Sequence, residues 1–146
     1  MITPIITTQA QLPLFSSRVP AGFPSPCDPH IQKRLNIHEY LVDQEDATFM
    51  VTVWSWSLRD IGILPNDFAV VNRAAEAKVG NIVLAVVNGE FTLKLLNVSK
   101  QGNPILESAN PDFKPIIIRE GMDFEIWGVV TGTFRRYVVR WPRLPW

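Results

Sequence analysis

The chain has 146 residues, of which 47% are hydrophobic and 19% are charged, and its formal net charge is zero. This composition predicts a folded globular protein rather than a disordered one. Because there is no excess of basic residues, bulk charge gives no reason to expect direct DNA binding. The single cysteine, Cys27, excludes an internal disulfide and fits a reducing compartment such as the cytoplasm.

No targeting segment, membrane span or metal site is predicted. The first 15 residues lack the basic and apolar regions of a signal peptide. No apolar run approaches the roughly 20 residues of a membrane-spanning helix. Cys27, His30 and His38 are the only soft ligands, and their spacing does not suit a metal. We therefore expect a cytoplasmic protein with no metal and no cofactor.

Proline divides the chain into two predicted parts. Six of the twelve prolines lie within the first 29 residues. Proline lacks an N–H group and restricts the residue before it, so these residues favour an extended structure. We predict a proline-rich N-terminal arm over residues 1–27, too short for a helix-turn-helix domain, and a β-rich domain over residues 28–146.

Two short helices are predicted where the arm ends. Asp28 can cap a helix and Pro29 suits its first position, which favours a helix through about Leu35. Asn36 followed by Glu39 resembles a second cap, opening a short helix to about residue 42.

From residue 48 onward the pattern is that of β-strands. Strands are predicted at residues 48–54, 68–72, 104–108, 115–119, 123–130 and 134–140, and a β-hairpin is predicted at 81–98. Strands dominate and helical periodicity is weak. The fold class predicted is therefore mainly β, a compact and strongly curved domain with a flexible N-terminal arm and one or two short helices.

Lys94 lies in a predicted β-hairpin that is otherwise almost entirely apolar. Asn88 and Gly89 separate two apolar runs, a strong signal for a type I′ turn. That turn would place Lys94 opposite Val83. A lysine in apolar surroundings has a lowered pKa, and its neutral amine can act as a general base. The alternative is an edge-strand lysine that prevents aggregation.

Ser57 is the candidate nucleophile. It lies where one predicted strand ends and a turn to the next begins, and such a junction can present a side chain from a rigid scaffold. The alternative is an ordinary loop serine. A serine activated by a lysine is an accepted variant of the catalytic triad. The backbone N–H groups of Trp56 and Ser57 are the simplest oxyanion hole.

The chain resembles the LexA/UmuD family of self-cleaving peptidases. Within that family it resembles the UmuD-like branch most of all. The likeness runs from about residue 12 to residue 139. The nucleophile segment of the family, Ser-(Met/Leu)-x-Asp-x-Gly-Ile, reads SLRDIGI from Ser57, and Asp67 matches the aspartate that follows. Lys94 stands at the position of the family's base, 37 residues after Ser57. Ala21-Gly22, within RVPAGFPSP, resembles the family's cleavage site.

The resemblance implies a function. A RecA filament on single-stranded DNA would promote self-cleavage between Ala21 and Gly22 during the SOS response. Residues 22–146 would then form a homodimer and join a UmuC-type DNA polymerase for translesion synthesis. The short arm separates this prediction from the LexA repressors, which carry a DNA-binding domain ahead of the cleavage site.

A second motif lies in the arm. Gln11, Leu12, Leu14 and Phe15 match the Gln-Leu-x-Leu-Phe peptide that docks on the bacterial replicative sliding clamp. A short apolar peptide with one polar anchor can fill a preformed pocket. The alternative is an apolar arm that packs on its own domain.

The nucleophile segment also departs from the family. Ser55 stands where the family usually has glycine in Ser-Gly-x-Ser-Met, and Trp54 and Trp56 flank it. The tryptophans could line a substrate pocket, pack in the core or block the site. Two alternatives to an active peptidase therefore stay open: a catalytically inactive UmuD-like dimer partner or regulator, and a non-enzymatic β-rich binding module. The tail at residues 141–146 has no assigned role.

Overall fold

A computed structural model describes residues 10–16, 18–19 and 31–137 of the chain. The chain divides into two compact units, Met1–Asp43 and Gln44–Trp146. The predicted boundary between residues 27 and 28 lies outside the described residues.

The first unit contains a two-stranded antiparallel sheet and a short helix. Strand β1 (Leu12–Phe15) pairs with β2 (Ile31–Leu35), and helix α1 (Ile37–Leu41) follows. The Oδ1 atom of Asn36 accepts the Glu39 N–H at 3.2 Å, so the predicted second helix and its cap are confirmed. The predicted helix ending near Leu35 is wrong, because β1 supplies backbone partners that override the weak local helical signal.

The second unit is a seven-stranded antiparallel sheet. Its strands are β3 (Thr48–Thr52), β4 (Phe68–Asn72), β5 (Ile82–Val87), β6 (Glu90–Val98), β7 (Pro104–Glu107), β8 (Ile116–Ile117) and β9 (Phe124–Phe134). They lie in the order β3-β4-β9-β5-β6-β7-β8. Short 3₁₀ turns occur at Glu45–Ala47 and Arg59–Ile61. The mainly β fold predicted from the sequence is confirmed.

Strand β9 is longer than predicted. It runs unbroken for 11 residues, where the sequence predicted one strand at 123–130 and another at 134–140. The register shifts against β4 between Val70 and Val71 and against β5 between Leu84 and Ala85. A bulge lets a strand continue past a change of register, which explains why the predicted break is absent. The second predicted strand is wrong at residues 135–137, which follow the end of β9 and are not in a strand, and residues 138–140 lie outside the described residues.

The β5–β6 hairpin has the predicted register. Asn88 and Gly89 have φ angles of 49° and 83°, as a type I′ turn requires. The ladder pairs Val87 with Glu90 and Val83 with Lys94. The Asn88 N–H donates to the Asp123 carbonyl at 2.8 Å, which ties the turn to the start of β9.

Two apolar clusters fill the second unit. One contains Val83, Ala85, Leu96, Leu106, Ile118 and Val129, and the other contains Val53, Leu58, Ile63 and Ala69. Because side chains alternate along β6, Lys94 shares a face with Leu96 of the first cluster, whereas Leu93 and Leu95 pack against the second. Within the described parts of the chain, no helix has the length and apolar character needed to cross a membrane.

Candidate active site

Ser57 lies in the nucleophile turn, residues 53–67, which connects β3 to β4. The two ends of this turn are held together by backbone hydrogen bonds, from the Val53 N–H to the Asp67 carbonyl and from the Asn66 N–H to the Val53 carbonyl, both at 2.8 Å. Leu58 follows Ser57, and the 3₁₀ turn Arg59–Ile61 begins after it. Only 2% of Ser57 is exposed. Ser57 therefore lies within the turn, five residues after β3 ends at Thr52, whereas the predicted strand ran to residue 54.

A second segment holds the backbone on both sides of Ser57. The Ala109 N–H donates to the Ser57 carbonyl at 2.7 Å, and the Asp60 N–H donates to the Ala109 carbonyl at 2.8 Å. The Asn110 side chain donates to the Trp56 carbonyl at 2.9 Å. Because these bonds satisfy backbone groups on either side of the nucleophile, they fix its position in the turn. Sequence reasoning missed this segment.

Asp67 and Arg135 hold the far end of the turn. Asp67 is buried, and its carboxylate accepts the Leu64 N–H at 2.8 Å and the Arg135 Nη2 at 2.7 Å. Arg135 also donates to the Gly62 carbonyl at 3.1 Å. The hydrogen bond from Arg135 holds the pKa of the Asp67 carboxyl below its ordinary value, against the opposing effect of burial. The same bond raises the pKa of the Arg135 guanidinium. The paired charges therefore stay ionised.

Lys94 is buried in the sheet. It is 7% exposed, and it lies on β6 opposite Val83. Its Nζ atom is 5.5 Å from the centre of the Phe113 ring. Burial lowers the pKa of the Lys94 amine, because the charged form loses its hydration. The sequence predicted this burial and this direction of the pKa shift, and both are confirmed.

Ser57 and the hairpin that carries Lys94 border the same part of the second unit. A cavity of about 300 Å³ is lined by Ser57 and Ser55 of the nucleophile turn and by Thr92 and Leu93 of β6, the two residues before Lys94. The segment that bonds to the Trp56 and Ser57 carbonyls also contains Phe113, which lies beside the Lys94 amine. The catalytic pairing of Ser57 with Lys94 stays a prediction.

One of the two predicted oxyanion donors, the Ser57 N–H, already has a partner. The Ser57 N–H donates to the Ser55 hydroxyl at 3.1 Å. Trp54 and Trp56 are 84% and 55% exposed, so neither is packed in the core, and Trp54 lines the cavity. The sequence drew attention to Ser55 as a departure from the family, but it did not reveal this hydrogen bond.

The other predicted residues belong to the first unit or lie outside the described residues. Ala21 and Gly22, the predicted cleavage site, are outside them, and so is the tail at residues 141–146. Of the clamp motif, Leu12, Leu14 and Phe15 form β1 in the first unit with exposed side chains, and Gln11 precedes that strand. Among the described residues, no group of three or more His, Cys, Asp and Glu side chains could hold a metal ion.

Comparison with known proteins assigns the family. A model described as Peptidase S24-like matches residues 13–131. Protein MucA of Salmonella typhimurium is 39% identical over 121 residues, which are 82% of each chain. Protein SamA of Salmonella typhimurium strain LT2 is 35% identical over 123 residues, which are 84% of each chain.

The chain is also similar to a repressor. The LexA repressor of Polaromonas naphthalenivorans is 38% identical over 127 residues, which are 87% of this chain and 53% of the repressor. The family model covers most of the chain, and MucA and SamA match over most of it. The chain therefore belongs to the Peptidase S24-like family, that of the LexA and UmuD self-cleaving peptidases, and it is UmuD-like.

Proposed function

We propose that this protein cleaves its own chain between Ala21 and Gly22, with Ser57 as the nucleophile and Lys94 as the general base. The observation that carries this proposal is the burial of Lys94, which lowers the pKa of its amine. A neutral amine is the form that can accept a proton, and a serine peptidase of the S24-like family needs such a base to activate its serine. The burial of Ser57 in a hydrogen-bonded turn supports the same assignment.

In the first half of the reaction the peptide bond is broken. Lys94 Nζ takes the proton from Ser57 Oγ, which attacks the Ala21 carbonyl carbon. The carbonyl oxygen becomes an oxyanion, for which the Trp56 and Ser57 N–H groups are the proposed donors. As the tetrahedral intermediate collapses, the bond to Gly22 nitrogen breaks and Lys94 returns its proton to the leaving amine. An ester between Ser57 and Ala21 remains.

In the second half, water resolves this ester. Lys94 takes a proton from the water, whose oxygen attacks the Ala21 carbonyl carbon, and the proton then passes to Ser57 Oγ as the ester bond breaks. The products are residues 1–21, with a new carboxylate, and residues 22–146, with a new amino terminus. No metal or cofactor takes part in this scheme.

The wider role that we propose is in the SOS response, in the cytoplasm. A RecA filament on single-stranded DNA stimulates cleavage, and residues 22–146 form a homodimer that serves a UmuC-type translesion polymerase. Similarity to MucA and SamA over more than four fifths of the chain supports a role of this UmuD-like kind. Light scattering of residues 22–146, alone and with such a polymerase, tests the homodimer and the complex separately.

Intact-mass spectrometry of the full chain tests the cleavage. The protein is incubated at pH 7.5 and at pH 9.5, with and without a RecA filament on single-stranded DNA. We expect a fragment that begins at Gly22, formed faster at the higher pH and faster with the filament. Ser57→Ala and Lys94→Ala should abolish it.

Lys100→Ala is the matched control, because Lys100 is an exposed lysine in the turn that follows β6. This variant should cut at the wild-type rate. A wild-type chain that stays intact under all four conditions would refute the peptidase assignment. Cleavage that persists in Ser57→Ala would show that another group is the nucleophile.

One observation favours a second candidate, a catalytically inactive UmuD-like dimer partner. The Ser57 amide, which the mechanism needs as a donor, is bonded to Ser55. An uncut wild-type chain that still forms a stable mixed dimer with an active UmuD-like protein would support this candidate. Membership of a peptidase family argues against the third possibility, a β-rich binding module in which Ser57 and Lys94 are coincidental.

We also propose that Gln11, Leu12, Leu14 and Phe15 bind the replicative sliding clamp. The exposure of Leu12, Leu14 and Phe15 on β1 supports this, because a docking peptide must present its apolar side chains to the partner. Cleavage after Ala21 would then remove the motif. Binding of the full chain to immobilised clamp, and its loss in the double variant Leu14→Ala/Phe15→Ala, tests this proposal.

A further inference from the structure

We propose that Ser55 acts as a brake, meaning that it slows the reaction of Ser57. Its hydroxyl accepts a hydrogen bond from the Ser57 amide, and this bond must break before that amide can stabilise an oxyanion. This inference rests on the proposed function of Ser57. It assigns to Ser55 a role in setting the reaction rate, acting on the amide and not on the substrate.

The contact is local and specific. Ser55 Oγ accepts the Ser57 N–H at 3.1 Å, two residues along the chain. Serine hydroxyls often form such turns with the amide two residues on. Glycine, which the family usually has at this position, carries no side chain that could accept this hydrogen. The substitution therefore adds an internal acceptor at the donor that the reaction needs.

The competition has a predictable size. A backbone amide has one hydrogen, and an amide that points at Ser55 Oγ cannot also point fully at an oxyanion. Removing one oxyanion donor costs an enzyme about 10² to 10³ in rate. Releasing the amide from Ser55 costs much less, since the net strength of a neutral hydrogen bond corresponds to about 2- to 10-fold. The chain should therefore react through the released form, slowed by that smaller factor.

The surroundings of Ser55 permit the release. Ser55 is only partly buried and lines the cavity of about 300 Å³ beside Ser57. Its flanking residues, Trp54 and Trp56, are largely exposed. A different χ1 rotamer of Ser55 can therefore place the hydroxyl toward the cavity, with the backbone of the turn still held by Ala109 and Asn110.

Labelling of Ser57 by a fluorophosphonate tests the brake independently of cleavage. In this reaction Lys94 takes the proton from Ser57 Oγ, Oγ bonds to phosphorus, fluoride leaves, and the phosphoryl oxygen occupies the oxyanion position. The full-length wild type is compared with Ser55→Ala, which loses the hydroxyl, and with Ser55→Thr, which keeps it. Ser57→Ala is the blank. Self-cleavage of the same chains is measured in parallel across pH 7–10.

Ser99→Ala is the matched control. Ser99 Oγ also accepts a backbone N–H, from Asn103 at 3.1 Å, but it does so in the turn between β6 and β7. We expect Ser55→Ala to be labelled and cut about 2- to 10-fold faster than wild type. Ser55→Thr and Ser99→Ala should match wild type. The pH at which the rate reaches its plateau should not move, because Lys94 sets it.

The outcomes separate the two proposals. Cleavage that is normal in wild type but unchanged or slower in Ser55→Ala overturns the brake and leaves the peptidase function standing. Faster labelling in Ser55→Ala without any cleavage supports the brake and refutes self-cleavage. Hydrogen exchange of the Ser57 amide, followed by NMR, gives an answer even if no chain is labelled. Exchange should be faster in Ser55→Ala, and an unchanged exchange rate overturns the inference.

Discussion

Replacing Gly128 by alanine tests whether close packing at the bulged part of β9 stabilises the sheet that carries Lys94. Gly128 lies opposite Leu84 of β5, beside the bulge. A Cβ atom at this position would lie 2.6 Å from Val71 Cγ1 and 2.8 Å from the Asn72 carbonyl oxygen of β4. Both distances are shorter than ordinary van der Waals contacts, so the alanine cannot be accommodated without movement of β4 or β9.

The expected cost follows from these two contacts. Overpacking of a tight core costs about 1–3 kcal/mol. The upper part of that range applies here, because the Asn72 oxygen belongs to the backbone and cannot turn aside as a side chain could. We predict that Gly128→Ala lowers the free energy of unfolding by about 2–3 kcal/mol. For a folded unit of this size the corresponding fall in Tm is about 10–15 °C.

The assay is urea unfolding followed by circular dichroism, in a Ser57→Ala background that prevents self-cleavage. Gly89→Ala is the control, because Gly89 has a positive φ of 83° but open space around the added Cβ. It should cost only the strain of that conformation, about 1–2 kcal/mol. Addition of Val71→Ala to Gly128→Ala removes one clash but not the other. The double variant should therefore lose less than the sum of the two single losses.

A Gly128→Ala variant within about 0.5 kcal/mol of its parent would refute the packing argument. So would a double variant whose loss equals the sum of the single losses, since the Val71 clash would then play no part. Either result would mean that β4 and β9 lie further apart than the structure has them.

Two further predictions concern buried charges, both measured by urea unfolding in the Ser57→Ala background. Asp67→Asn should be less stable at pH 7, because it breaks the pair with Arg135. Since the folded-state pKa of Asp67 lies below 3.8, this contribution is complete above pH 3.8 and is lost as the pH falls through the lower folded-state value. The difference in free energy of unfolding between Asp67→Asn and its parent should therefore disappear in acid. Asp60→Asn is the control: it removes an exposed pair with Arg59 and should change stability little at any pH. Lys94→Met should be more stable than its parent at pH 7, because burial lowers the pKa of Lys94 and the unfolded chain binds more protons. That advantage should shrink as the pH rises toward 10.5, the ordinary value for lysine, and a variant less stable than its parent at pH 7 would contradict the burial of a costly charge.

The hairpin was predictable because its signal is local. Asn88 and Gly89 tolerate positive φ, and the apolar runs on either side fix which residues pair. The predicted opposition of Val83 and Lys94 is confirmed for that reason. The burial of Lys94 follows from the same register, since its neighbours on the strand face are apolar.

The errors come from contacts between distant parts of the chain. Ile31–Leu35 is a strand because β1 pairs with it, and no local pattern reports that partner. Strand β9 continues through its bulges because β4 and β5 pair with it on both sides. Local propensity cannot outweigh such pairing.

The site was predictable only in part. Ser57 and Lys94 could be chosen from residue type, position and family likeness. The groups that hold the nucleophile turn could not, because they come from far along the chain. Asn110 bonds to the Trp56 carbonyl across 54 residues, and Arg135 bonds to Asp67 across 68. The bond from the Ser57 amide to Ser55 is local, but it depends on a rotamer that the sequence does not specify.

The pH dependence of self-cleavage shows whether a neutral Lys94 amine activates Ser57, because the rate follows the protonation state of the base. First-order rates for the full chain are measured from pH 6 to pH 11 by intact mass. The rate should rise tenfold per pH unit and reach a plateau below pH 10.5, since burial lowers the pKa of Lys94. The product should begin at Gly22, and Lys94→Ala should show no such rise. A rate that does not change with pH, or cleavage in Lys94→Ala with the wild-type pH profile, would show that Lys94 is not the general base.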